Sequence, residues 1–73
     1  MPKLGVFSGI DICSILRGHG FVHVRTKGSH ATMQLWTPNG TITVSVPLHD
    51  EIKKGTLLSI IKKTQLLRSY FEK

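Results

Sequence analysis

The tetrapeptide Lys27-Gly28-Ser29-His30 sets an imidazole beside an ammonium group across a glycine-bearing turn. Imidazole is the side chain that exchanges protons near neutral pH, and an ammonium group stabilises negative charge. Together they supply what proton transfer on an anionic substrate requires.

Such a pair works only if the flanking chain holds it in place. Phe21 to Thr26 and Ala31 to Thr37 alternate apolar and polar residues, the period-two pattern of strands buried on one face. Gly28-Ser29 between them reads as a two-residue hairpin loop, whose first position needs the positive φ that glycine takes without steric cost. The resulting register sets Lys27 opposite His30, Arg25 opposite Thr32 and Val24 opposite Met33. Val22 and Val24 then share the inner face with Ala31, Met33 and Leu35, while His23, Arg25 and Lys27 share the outer face with His30, Thr32 and Gln34. The candidate histidine points away from the core. Asn39-Gly40 predicts a second two-residue turn, pairing Met33 with Val46, Leu35 with Val44 and Thr37 with Ile42. The strand from about Thr41 to Val46 thereby adds its apolar residues to the same inner face.

Helices must cover that face. Ser8 is a good N-cap, Asp11 sits at the third helical position, and Phe7 is placed to staple onto Ile12. Ile12, Ile15 and Leu16 form one apolar stripe, and Gly18 with Gly20 supplies the stop. A second helix is predicted from Thr56, with Leu57, Ile60 and Ile61 as its stripe and Lys62 and Lys63 alongside. The expected fold is α+β, in the order αβββα: a three-stranded antiparallel sheet with two helices on one face. The outer face, carrying Arg25, Lys27, His30, Thr32, Gln34, Thr43 and Ser45, stays uncovered. Pattern alone leaves it open whether that face is merely solvated or binds a ligand.

The chain has 73 residues and a formal net charge of +6, with Asp11, Asp50, Glu51 and Glu72 as its acids. That length predicts a single domain, 1–73, with a small core and no deep cleft. The charge favours a polyanionic partner, nucleic acid first. The basic residues form no single amphipathic stripe, which argues against a membrane surface. Cys13, the one cysteine, falls in an apolar run and has no disulfide partner, as expected in a reducing compartment. The N-terminus lacks a secretory pattern and no run would span a bilayer, so a cytoplasmic location is expected.

The other histidines have plainer roles. His19 lies in the helix stop, His23 is a minor candidate on the outer face, and His49 reads as ordering its loop through hydrogen bonds. No spacing suits zinc, so neither metal nor other cofactor is expected. Trp36, outward by alternation, could stack a base or pack against a partner.

These pieces, taken in order, resemble the HicA-type toxins, also called the YcfA family, small proteins of bacterial toxin-antitoxin pairs. The matching segments are Leu16 to Phe21, Lys27-Gly28-Ser29-His30, Val46-Pro47-Leu48-His49, and Gly55-Thr56-Leu57 followed by Ser59-Ile60-Ile61-Lys62. The opening Met1-Pro2-Lys3-Leu4, with Ser8-Gly9, looks like the longer N-terminus of one subgroup. The resemblance covers nearly the whole chain. It implies a fold similar to the double-stranded RNA-binding domain, an mRNA-cleaving endoribonuclease activity, and neutralisation by a cognate HicB-like antitoxin. It also implies that His30 is catalytic. DNA would be reached only through the antitoxin complex. Two positions depart from the family pattern: Ala31, where a histidine or bulky residue is frequent, and Gln65, where a glycine usually ends helix two. The second departure leaves helix two free to stop near Thr64 or to run toward Tyr70, with Leu66, Leu67 and Phe71 extending its stripe.

RNA cleavage without metal needs a base for the ribose 2′-hydroxyl, an acid for the departing 5′-oxygen and positive charge at the phosphate. Lys27 across the hairpin favours the neutral, proton-accepting imidazole, so His30 is assigned as the base. Arg25, Lys27 and the turn amides at Gly28 and Ser29 are the phosphate-clamp candidates. Lys53 and Lys54 precede a helix N-terminus, a place where backbone phosphates are gripped. Two other classes compete with this reading. One is a non-catalytic RNA-binding module in which His30 is only a contact, and the other is a surface used for protein association alone.

Overall fold

The computed structural model describes residues 3–72. Met1 and Pro2 of the opening tetrapeptide therefore lie outside the described residues.

Helix α1 spans Gly9–Gly18. It starts there because Ser8 and Asp11 form a reciprocal capping box: Asp11 N–H donates to Ser8 Oγ at 3.1 Å, and Ser8 N–H donates to Asp11 Oδ2 at 3.0 Å. The helix ends where the amides of His19 and Gly20 fold back onto the carbonyls of Leu16 and Arg17. Ile12 and Leu16 are fully buried, as the stripe required.

Strands β1 (Val22–Lys27), β2 (His30–Thr37) and β3 (Gly40–Pro47) form an antiparallel sheet in the order β1-β2-β3. Gly28 carries the expected positive φ, +60°, and Lys27 pairs with His30 and Arg25 with Thr32. Farther from the turn the expected register fails. An extra residue at Val24 makes a β-bulge, so His23 rather than Val24 opposes Met33 and Val22 opposes Gln34. A bulge adds one residue to one strand and exchanges the faces of everything beyond it. Val22 and Val24, expected inside, are instead 41% and 46% exposed.

The second hairpin is displaced by two residues from the expected register. Thr37 pairs with Gly40, Leu35 with Ile42, Met33 with Val44 and Ala31 with Val46. The two-residue loop is thus Pro38-Asn39. Proline's fixed φ suits the first loop position, and without an N–H it serves poorly inside a ladder. Thr37 Oγ1 completes the turn, accepting from Asn39 N–H at 3.2 Å and donating to the Gly40 carbonyl at 2.6 Å. An even displacement keeps every side chain on its face, so the inner set survives.

Helix α2 spans Lys54–Thr64 and so starts before Thr56, the expected cap. Leu57 N–H donates to the Lys53 carbonyl at 2.9 Å, which carries the helix upstream of Thr56. Lys53 is the N-cap and makes no side-chain capping bond. The helix stops at Thr64, where Gln65 takes a left-handed conformation with φ 61°. A short 3-10 turn, Arg68–Phe71, follows.

Both helices pack on one sheet face, giving the α+β fold in the order αβββα. Ala31, Met33, Val44 and Val46 meet Ile12, Leu16, Leu57 and Ile60 in one core, each fully buried large side chain contributing about 1.5–3 kcal/mol. Phe71 seals the open end. Its ring meets Phe7 edge-on at 6.3 Å, and its carbonyl accepts from Gly5 N–H at 2.8 Å.

Candidate active site

His30 opens the central strand, so it has a neighbour on each side: Lys27 of β1 and Pro47 of β3. Its ring is exposed, as is Lys27. Arg25, opposite Thr32, follows on the same outer face and is also exposed. Basic side chains and an imidazole therefore share one corner of the uncovered sheet, next to the Gly28-Ser29 turn.

The segment leaving β3 closes the other side of that corner. Leu48 N–H donates to the Ser29 carbonyl at 2.6 Å, tying the strand exit to the hairpin turn. His49 follows, and its carbonyl accepts from Gly9 N–H at 2.9 Å, which ties the segment to the start of α1. This bond is made by the His49 backbone alone and is open to any residue at the position. Its ring does something else: it lies exposed with its centroid 6.5 Å from that of His30, the two planes inclined at 65°. Among the described residues neither ring hydrogen-bonds to another group. Alternation cannot reveal this proximity, since His49 lies beyond the strand. The signal lay in the Val46-Pro47-Leu48-His49 segment, which had to return beside the hairpin.

His23 leaves the site. The bulge turns it toward α1, where its Nε2 is hydrogen-bonded to Thr26 Oγ1 at 2.7 Å. It lines a groove of about 350 Å³ with Cys13, Arg17 and Leu48. Cys13 is buried, and that burial pushes its thiol above the ordinary range, with Arg17 partly opposing. His19 caps α1 and lays its ring on Tyr70, the centroids 4.1 Å apart.

Lys53 and Lys54 are exposed at the start of α2. Lys54 lines a second groove of about 490 Å³ with Lys3, Glu51 and Arg68, and His30 is not part of its wall. Trp36 is outward and 65% exposed. It stands six positions along β2 from His30, about 20 Å at the rise of a strand.

A family model described as HicA toxin of bacterial toxin-antitoxin matches residues 9–66. The matched span runs from the start of α1 past the end of α2 and includes both exposed histidines of the corner. No curated protein and no solved structure matches the chain at a significant level.

Proposed function

We propose, from the premise that the chain belongs to the HicA toxin family of bacterial toxin-antitoxin systems, that it is an mRNA-cleaving endoribonuclease with His30 as its general base. The observation that supports this most is the direct opposition of Lys27 and His30 on an exposed sheet face. A base at that position takes the ribose 2′-hydroxyl proton, while Lys27 and Arg25 hold the adjoining phosphate and stabilise the charge that grows on it. The Gly28-Ser29 turn adds backbone donors, so that base and positive charge are supplied without a metal.

Lys53 and Lys54 act at a distance from the corner, gripping the backbone of the same RNA. The toxin works as one domain in the cytoplasm. Among the described residues, no helix is long and apolar enough to cross a membrane. Its HicB-like antitoxin offers an acidic surface that covers Lys27 and His30, so protein and RNA compete for one face.

Purified wild-type chain and His30→Ala, compared on the same RNA, test this. The expected result is a loss of about 10²- to 10⁴-fold in cleavage rate with RNA affinity retained. Equal cleavage by the two proteins overturns the assignment of His30. RNA binding without cleavage by wild type leaves the non-catalytic module as the reading.

A further inference from the structure

We propose that His49 is the general acid of the corner, donating the proton that the 5′-oxygen takes as it leaves. This rests on the reading of the chain as a ribonuclease and deepens it, because a base alone leaves the departing alkoxide unprotonated.

The geometry is specific. Centroids 6.5 Å apart, with the planes inclined at 65°, put both imidazoles within reach of a single phosphate lying across the corner. Both residues are exposed, and among the described residues neither ring is engaged in a hydrogen bond, so no protein group competes for their nitrogens. The His49 backbone is held from two directions, through Leu48 to Ser29 and through its own carbonyl to Gly9. Gly9 makes the second tie possible. A Cβ there would lie 2.1 Å from the Pro47 carbonyl oxygen and 2.7 Å from Leu48 Cα, so any other residue would push α1 off this segment. Three elements thus converge to hold one exposed ring beside another. Loop ordering needs only the His49 backbone and gives the ring no reason to be where it is.

The step balances without a further reactant. The 2′-oxygen attacks phosphorus and forms the O2′–P bond as the P–O5′ bond breaks. His30 receives the 2′-hydroxyl proton, and protonated His49 gives its proton to the 5′-oxygen. The products are a 2′,3′-cyclic phosphate and a 5′-hydroxyl, and water returns the proton from one imidazole to the other.

The test uses a synthetic RNA carrying one site cut by the wild-type chain, and its twin with sulfur in place of the bridging 5′-oxygen at that site. A thiolate leaves without protonation, so only the oxygen substrate needs an acid. His49→Ala is expected to lose about 10²- to 10⁴-fold on the oxygen RNA and to cut the sulfur RNA at close to the wild-type rate. His30→Ala stays impaired on both. An equal loss by His49→Ala on both substrates, or on neither, overturns the inference while leaving His30 as base. Products ending in a 5′-phosphate overturn it as well. If wild type cuts no RNA, the ribonuclease reading falls, and this inference with it.

Discussion

Lys27 and His30 are directly opposed residues at the closed end of the first hairpin, both exposed on the sheet face that neither helix covers. In a directly opposed pair the Cβ atoms are about 5 Å apart, so a phosphate held by one reaches the other. Arg25 follows at the next outward position of β1.

With the proposed RNA substrate, charge arranged this way makes binding dependent on counterion release. Each phosphate contact on a single strand contributes about 0.7 to the slope of log affinity against log salt. The double variant Arg25→Ala/Lys27→Ala is expected to flatten that slope by about 1.4 in fluorescence anisotropy titrations. Both side chains are exposed, so the fold is kept. An unchanged slope would remove them from the phosphate contacts.

Cys13 gives a prediction with a defined sign. Burial raises its thiol pKa, so above the ordinary thiol value the folded chain keeps a proton that the unfolded chain releases. Its contribution to stability is therefore complete below about pH 8.5 and shrinks as pH rises beyond that. Urea unfolding of wild type and Cys13→Ala should show the wild-type advantage narrowing with rising pH. A constant difference across pH 7 to about pH 10 contradicts the burial effect.

Gln65 ends α2 in a left-handed conformation at φ 61°, a region in which a Cβ crowds the following carbonyl. Gln65→Gly is expected to raise stability by about 1 kcal/mol, read as a higher urea midpoint with an unchanged m-value. No gain would mean that the Gln65 side chain recovers elsewhere what its backbone loses.

The α1 boundaries were legible because Ser8, Asp11 and Gly20 act locally, through bonds between near neighbours in sequence. The inner faces of β2 and β3 were legible too, although the pairing of those strands was not. Pro38 moves the turn by one residue and hence the pairing by two, and an even slip leaves the alternation blind to the change. Val24 defeated the reading of β1 for another reason. Val22 and Val24 fit the inward alternation, but β1 is paired on one side only and so can accept an extra residue at small cost in ladder bonds. The end of α2 stayed open because a glutamine carries no stop signal, yet Gln65 takes the left-handed backbone that ends the helix, and Phe71 beyond it is fully buried. At the site, Lys27 and His30 are neighbours through a short loop and could be read directly. His49 reaches them through the long return of β3, which alternation does not describe.

The residue inserted at Val24 has an effect on how copies of the chain meet. Among the described residues β1 has no neighbour on its far side, and a straight border carrying two half-exposed valines is a template for pairing with another chain. The kink breaks the even spacing of donors and acceptors along that border, so an incoming strand finds no continuous set of partners. An interruption of this kind is a recognised means of keeping an exposed sheet edge from pairing with other chains.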